Sequence, residues 1–235
     1  MQIPSPLLRG RLIKRYKRFL ADIALDDGRE ITAHCANPGS MLGVAIAGAT
    51  VWVNEHNNNK RKLAFSWEMV EIGETLIPIN TVNPNKIALE AIEAGAIPEL
   101  AGYGDIRREV KYGAASRIDL LLEGGKHAAP CYVEVKNVHL SRAPGLAEFP
   151  DSVTTRGAKH LAELSRVAAA GGRAVMLFVV QRSDCTRFRP AADLDPAYGA
   201  ALKSAVAAGV ETLCYDCEVS LSAVGLRNRL EIELV

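Results

Sequence analysis

The chain has 235 residues, of which 49% are hydrophobic and 23% are charged, and its formal net charge is +1. This composition excludes collagen, coiled coils and extensive disorder, and so small a charge gives no general attraction to nucleic acid or membranes. Five cysteines match no disulfide framework, which indicates a reducing compartment. The first residues lack an apolar signal core, and the longest apolar run, 174–180, is too short to cross a bilayer. We therefore expect a cytoplasmic protein that does not enter membranes.

Short strands and turns dominate the first 80 residues. Strand patterns cover LIKRYKRFLADIAL, EITAHC, TVWVNEH, AFSWEMVEI and TLIPIN, and the first of them ends at the hairpin dipeptide Asp27–Gly28. Five short strands within about 75 residues predict an all-β domain over 1–80, a small five-stranded barrel of the OB type. The strand pattern alone leaves an SH3-like barrel open as the alternative.

The pattern changes near residue 81, where we place a domain boundary. NTVNPNKIALEAIEAG predicts a helix, and the strands IRREVKYG, RIDLLLE and CYVEVKNV follow it. The remaining order is a helix over RGAKHLAELSRVAAAG, a buried strand RAVMLFVVQR, a helix from about 196 to 208 and a strand ETLCYDCEV. This order predicts that residues 81–235 form an α/β domain around a mixed central sheet.

Two neighbouring strands carry charged residues inside apolar runs. Strand alternation places Asp119 on the face opposite to Ile118 and Leu120. Glu134 and Lys136 are two positions apart on the next strand and share one face. Because unpaired buried charges are costly, two carboxylates here indicate a divalent cation, Mg²⁺ or Mn²⁺, held by Asp119 and Glu134. The cation would activate water for phosphodiester hydrolysis, and Lys136 would stabilise the negative charge that develops.

An ion pair without a catalytic task would explain the same residues, because Glu-x-Lys sequences are common. A second copy occurs at Glu109–Val110–Lys111, but its nearest upstream aspartate, Asp105, is too close to come from a separate strand. We therefore prefer the copy at 134–136. Glu109 either reaches the same site or lies on a solvated edge, and we favour the edge.

Basic residues are concentrated in two short stretches of the predicted barrel. The first has six cations among ten residues: Arg9, Arg11, Lys14, Arg15, Lys17 and Arg18. The second lies in a loop and comprises Lys60, Arg61 and Lys62. Tyr16 and Phe19 lie within the first stretch, as a base-stacking surface requires, and contacts to DNA phosphates would make binding strongly salt-dependent. The alternative is a solvated basic strand whose aromatic side chains face the barrel core.

A further candidate contact lies at the start of the helix that follows the metal-binding strands. Arg156 and His160 are four residues apart and share a helix face. Near a helix N-terminus both side chains would be able to meet a phosphate of the nucleic acid. The alternative is that His160 packs against the sheet.

Several stretches of the chain resemble the sugar fermentation stimulation protein A family of prokaryotes. They are LIKRYKRFLAD, HCANPGSM, RREVKYG, SRIDLLLE, YVEVKNVHL, FPDSVTTRGAKHL and DPAY, and the resemblance extends from Pro6 to about Val219. It implies an OB-fold domain followed by a nuclease-type domain of the PD-(D/E)XK class. It also implies sequence-nonspecific DNA binding and a regulatory link to maltose metabolism. The motif match gives the nuclease-type positions to Asp119, Glu134 and Lys136.

Departures from the family pattern lie outside these three residues. Ala36 and Pro38 replace the usual Pro and Thr, and His139 replaces Thr. Two hypotheses follow: a Mg²⁺- or Mn²⁺-dependent endonuclease, or a non-catalytic DNA-binding transcriptional regulator linked to sugar metabolism. The complete triad favours the first hypothesis and the role attributed to the family favours the second. A homo-oligomer is compatible with the sequence, which leaves the oligomeric state open.

Overall fold

The computed structural model describes residues 1–57, 61–113 and 116–234. Its first part is built from strands β1 (Leu7–Tyr16), β2 (Leu20–Leu25), β3 (Glu30–Cys35), β4 (Thr50–Glu55), β5 (Phe65–Ile72) and β6 (Thr75–Pro78). β1 pairs with β2 and β4, and β3 pairs in parallel with β5, so five strands close into a barrel of the OB type. Alternate residues of β2, including Ala21 and Ile23, point into an apolar core that also contains Trp67.

The five barrel strands differ from the five that the sequence predicts. The first predicted strand, LIKRYKRFLADIAL, is in fact two strands, β1 and β2. The chain reverses direction between β1 and β2 at Lys17 and Arg18. Both residues have left-handed backbone angles, with φ values of 48° and 63°. Residues of this kind rarely adopt such angles, so no turn signal appears in the sequence. The predicted fifth strand, TLIPIN, is β6, which pairs with β5 outside the closed ring.

The second part is an α/β region around a mixed six-stranded sheet, as predicted. Its strands are β7 (Asp105–Tyr112), β8 (Ser116–Glu123), β9 (Cys131–Val138), β12 (Arg173–Val180), β14 (Glu211–Val219) and β15 (Val224–Arg229), in the order β15-β14-β12-β9-β8-β7. β9, β12 and β14 are parallel, and the other pairs are antiparallel. The sheet is therefore antiparallel towards both edges.

Helices cover both faces of this sheet. α1 (Asn83–Glu93) contributes to one apolar core, whereas α2 (Thr155–Ala169) and α3 (Pro196–Ala207) contribute to the core on the other face. The hydroxyl of Thr154 caps α2 by accepting a hydrogen bond from the Gly157 N–H at 3.1 Å. Within the part of the chain described, no helix is both long and apolar enough to span a membrane.

A second, four-stranded sheet lies beside the central one and was not predicted. It consists of β10 (Leu140–Ala143), β11 (Gly145–Phe149), β13 (Cys185–Pro190) and β16 (Glu231–Ile232). These strands have two to six residues. The stretches LSRA, GLAEF and CTRFRP contain few of the β-branched and aromatic residues that mark equally short strands such as β4.

A buried carboxylate joins the barrel to the α/β region. Asp151 accepts a hydrogen bond from the Met41 N–H at 2.8 Å, and its carbonyl accepts one from the Ser40 hydroxyl at 2.7 Å. His139 Nε2 lies 3.4 Å from the Asp151 carboxylate. Although burial alone would raise the pKa of Asp151, His139 and the Met41 N–H outweigh it and lower this pKa to about 2. The barrel loop that contains Ser40 is therefore fixed against the second part of the chain.

Candidate metal centre and nucleic-acid interface

Asp119 lies where strands β8 and β9 separate. The β8–β9 ladder pairs Leu120 with Val133 and does not continue to Asp119. Instead, Asp119 Oδ2 accepts a hydrogen bond from the Val135 N–H at 2.8 Å, and Oδ1 accepts one from Asn85 Nδ2 on α1, also at 2.8 Å. The side chain thus takes the place of a backbone acceptor, and its carboxylate is held between the sheet and α1.

The break in the ladder changes which residues share a face of β8. Ile118 packs in the core under α2 and α3, whereas Leu120 packs in the core under α1. The prediction that Ile118 and Leu120 share a face is therefore wrong. The neighbouring strand β7 is irregular at the same level: Glu109 has a φ of 53°, and the β7–β8 pairing continues on either side of it. Simple alternation fails because both strands are distorted at this point.

Glu134, Lys136 and His160 form a buried polar cluster beside this break. Lys136 Nζ donates to Glu134 Oε1 at 2.6 Å, and His160 Nδ1 contacts the same oxygen. Arg156 Nε donates to His160 Nε2 at 3.3 Å, so the proton of the neutral imidazole is assigned to Nδ1. The sequence pattern suggested Arg156 and His160 as phosphate contacts. The structure leaves Arg156 exposed but buries His160 against Glu134.

One oxygen of Glu134 has no partner within the described residues. The side chain is only 2% exposed, yet Oε2 makes no hydrogen bond. A buried anionic oxygen without a partner costs free energy that hydrogen bonds or a bound cation would offset. The unsatisfied oxygen of Glu134 and the neighbouring carboxylate of Asp119 are therefore the strongest indication of a cation site here.

The two carboxylates have pKa values that are shifted in opposite directions. Burial first, and then the charge of Glu134, raise the pKa of Asp119. Burial also acts to raise the pKa of Glu134, but the His160 hydrogen bond and the charge of Lys136 outweigh it and lower that pKa. A divalent cation beside both groups would offset the repulsion between them.

The donor set fits a hard cation with an incomplete protein shell. Among the residues that the structure describes, no group of three or more His, Cys, Asp or Glu has an arrangement for holding a metal. Two carboxylates, Asp119 and Glu134, would therefore share the ion with water or phosphate oxygens. This is the usual coordination of Mg²⁺, which binds few protein ligands and keeps several waters.

A groove of about 480 Å³ opens next to Asp119, between α1 and β7. Its walls include Asn85 and Lys86 of α1 and Arg108 and Glu109 of β7. Lys86 and Arg108 are exposed and have no ion pair within the described ranges. Neither cation stands out in the sequence, because only the packing of α1 against the sheet brings them to the groove. Glu109, favoured above as an edge residue, is exposed and also lines this groove.

The six cations of the first basic stretch lie in different environments. Four contact neighbouring carboxylates or carbonyl groups: Arg9 (Asp26), Arg11 (Gly48), Lys14 (Asp22) and Arg15 (Asn37 and Gly39). Arg15 is half-buried and donates to these two carbonyls at 2.9 and 2.8 Å, so it braces the loop joined to Asp151. Lys17 and Arg18 are exposed in the β1–β2 turn.

The second basic stretch lies between β4 and β5. Arg61 and Lys62 are exposed, and Lys60 lies outside the described residues. Burial raises the pKa of Glu68, and the positive charges of Arg61 and Lys86 oppose this effect. Arg61 of the β4–β5 loop and Lys86 of the Asp119 groove therefore both lie near enough to Glu68 to affect its charge. In OB folds the β1–β2 and β4–β5 loops are the ones that bind oligonucleotides.

Comparison with known families divides the chain into two matched segments. Residues 13–79 match a family described as "SfsA N-terminal OB domain" and residues 82–223 match "Sugar fermentation stimulation protein RE domain". Two curated relatives are both named "Sugar fermentation stimulation protein homolog". The one from Maricaulis maris is 56% identical over 100% of this chain and 99% of its own length. The one from Caulobacter vibrioides is 54% identical over 98% of this chain and 96% of its own.

A solved structure matches almost the entire fold. It is described as the structure of Pyrococcus furiosus SfsA in complex with Ca²⁺ and superposes with a TM-score of 0.88 at 29% identity. The match covers 99% of this chain and 98% of that one. The barrel and the mixed sheet therefore have the same arrangement in both proteins.

Proposed function

This chain belongs to the sugar fermentation stimulation protein family, and we propose that it is a DNA-binding phosphodiesterase that depends on Mg²⁺ or Mn²⁺. One observation carries the proposal: beside the break between β8 and β9, where Asp119 lies, Glu134 retains a buried oxygen without a partner among the described residues, and the charge of Glu134 acts on Asp119. The Ca²⁺ in the related structure from Pyrococcus furiosus supports binding of a divalent cation by this family fold.

Each residue of the site has a distinct task in this proposal. Asp119 and Glu134 would hold the cation, which would supply an activated water and polarise the phosphodiester. Lys136 keeps its hydrogen bond to Glu134 Oε1 and stabilises negative charge on the reacting phosphate. Lys86 on one wall of the groove and Arg108 on the other bind the phosphate. His160 orients Glu134 and leaves its second oxygen for the ion.

DNA binding is proposed for the two basic loops of the barrel. Lys17 and Arg18 in the β1–β2 turn and Arg61 and Lys62 in the β4–β5 loop are exposed cations on a fold that binds nucleic acids. Contacts to phosphate carry no sequence information, so binding should be nonspecific and should weaken steeply with salt.

The non-catalytic regulator is the second candidate, and one contact favours it. Both Lys136 and His160 contact the same oxygen of Glu134, so that oxygen is already neutralised without a metal. A protein that only binds DNA would use this cluster to stabilise its fold. The two candidates therefore differ in whether a cation binds and whether DNA is cut.

The deciding experiment compares Asp119→Asn with Glu123→Gln, which removes a half-buried carboxylate from the same strand outside the groove. Supercoiled, linear and single-stranded DNA are incubated with Mg²⁺, Mn²⁺ or EDTA, and bound and cut DNA are resolved together. We expect cutting that requires metal, is lost in Asp119→Asn and persists in Glu123→Gln. Binding without cutting in every metal would establish the regulator instead.

A further inference from the structure

An exposed aromatic ring lies on the outer surface of the barrel. Phe19 is 45% exposed and is the one exposed Phe, Tyr or Trp among the described residues. Its ring lies nearly parallel to that of His34 on β3, with an angle of 15° and centroids 6.3 Å apart. The Phe19 carbonyl accepts a hydrogen bond from the Cys35 N–H at 2.8 Å, which fixes Phe19 beside β3. The ring is thus held in place while nearly half of the residue's surface stays open to a ligand.

Tyr16 lies on the neighbouring strand and is also fixed in orientation. Its hydroxyl donates to Asp22 Oδ1 at 3.1 Å, and Thr32 on β3 donates to the same oxygen at 2.8 Å. Lys14 Nζ lies 5.3 Å from the centre of the Tyr16 ring. These hydrogen bonds orient the ring before any ligand arrives, which reduces the entropy lost on binding.

Cations border these rings on the side of the β1–β2 turn. Lys17 and Arg18 directly precede Phe19, and both are exposed without an ion pair within the described ranges. We call the outer face formed by Tyr16, Phe19 and His34, with Lys17 and Arg18 beside it, the stacking surface. It combines flat ring faces with positive charge, which is the combination that unpaired bases and their phosphates require.

We propose that the stacking surface binds single-stranded nucleic acid, with an unpaired base resting on Phe19. This inference rests on the nucleic-acid binding of the proposed function and names the form of its substrate. In a duplex the base faces are already covered by neighbouring base pairs, so Phe19 would gain nothing from it. The cations of the stacking surface would bind the phosphates of single strands and duplexes alike, whereas the Phe19 ring distinguishes unpaired bases from paired ones.

The test measures binding in EDTA with full-length protein carrying Asp119→Asn, so that cutting cannot interfere. The probes are labelled single strands of about 12 nucleotides, within the site size of OB folds, as thymidine DNA or uridine RNA, and a DNA duplex of equal length. Phe19→Leu keeps an apolar side chain but loses the ring, and Phe19→Trp restores one. Leu42→Ala is the control, since Leu42 is a comparably exposed residue of the barrel at 43%.

We expect Phe19→Leu to weaken single-strand binding about tenfold, as the loss of one base stack predicts, and to leave duplex binding unchanged. Phe19→Trp and Leu42→Ala should bind single strands as the parent does. The proposal fails if Phe19→Leu binds single strands normally, or if it weakens single-strand and duplex binding equally. The two sugar types show whether the strand is DNA or RNA.

Failure here differs from failure of the phosphodiesterase proposal. If the parent protein cuts DNA in a metal-dependent way, unchanged single-strand binding by Phe19→Leu in the Asp119→Asn background would refute the stacking surface alone. Loss of single-strand affinity in Phe19→Leu without any cutting by the parent protein would refute the phosphodiesterase alone.

Discussion

Replacing Asp151 with Asn tests the contact that joins the barrel to the α/β region. The side chain is 17% exposed, and its pKa is lowered from 3.8 to about 2. A folded-state pKa below the unfolded one means that the charged carboxylate stabilises the fold above about pH 4, and that this stability disappears as the pH falls through about 2. A tenfold difference in proton affinity between the folded and unfolded states corresponds to about 1.4 kcal/mol, so the contribution at pH 7 is about 2 kcal/mol.

The assay is urea unfolding of wild type and Asp151→Asn at pH 7 and at a pH near 2.5. We expect the variant to be less stable by about 2 kcal/mol at pH 7, with a smaller deficit at the acidic pH. Asp26→Asn is the control, because its partner is Arg9 in an exposed pair 3.0 Å apart, and such pairs contribute about 0–1 kcal/mol. An Asp151→Asn deficit that is equal at both pH values would refute the electrostatic explanation, and so would a variant as stable as wild type at pH 7.

Three further changes have defined outcomes. Arg108→Ala should weaken DNA binding and reduce its salt dependence in a filter-binding titration. Arg107 lies beside Arg108 on β7 but pairs with Glu123, so Arg107→Ala should have neither effect. Equal effects of the two substitutions would exclude the groove as a phosphate site. His160→Gln should weaken divalent-metal binding about tenfold or more by loosening the glutamate it contacts, as measured by metal-induced shifts in Tm. Gly10→Ala should destabilise the barrel by about 1–3 kcal/mol, because the added Cβ would meet the carbonyl of a neighbouring strand at 2.6 Å. Gly225→Ala, with nothing within 4 Å, is the control for that denaturation experiment.

Local sequence patterns were sufficient for most of the large elements. α1, β9 and β14 follow from helical spacing or from runs of strand-forming residues, and these signals do not depend on distant parts of the chain. The turn at Lys17–Arg18 could not be predicted, because lysine and arginine have no preference for the left-handed angles that it uses. The second sheet was missed for a different reason, since the stretches LSRA, GLAEF and CTRFRP contain few strand-forming residues, whereas the equally short β4 contains many.

The site was only partly predictable from the sequence. Asp119, Glu134 and Lys136 stood out because charges are rare inside apolar strand runs. In the structure Lys136 contacts Glu134 and the charges of both act on Asp119, while their catalytic role stays a prediction. Asn85 and Lys86 carry no comparable signal, because they lie on an ordinary helix surface until α1 packs beside β8. Residues that act through tertiary packing alone cannot be read from spacing along the chain.

The fixed contact at Asp151 has a consequence for any nucleic acid that spans both parts of the protein. Arg15 and the Asp151 contact both hold the same barrel loop, so the distance from the barrel surface to the Asp119 groove is set. A nucleic-acid strand anchored on the barrel by one base would then always place the same phosphodiester in the groove. The number of nucleotides between that base and that phosphodiester would be constant. The protein would then fix the distance between its anchor and the cut, but not the length of the product, because binding without sequence preference places the anchor anywhere along the strand.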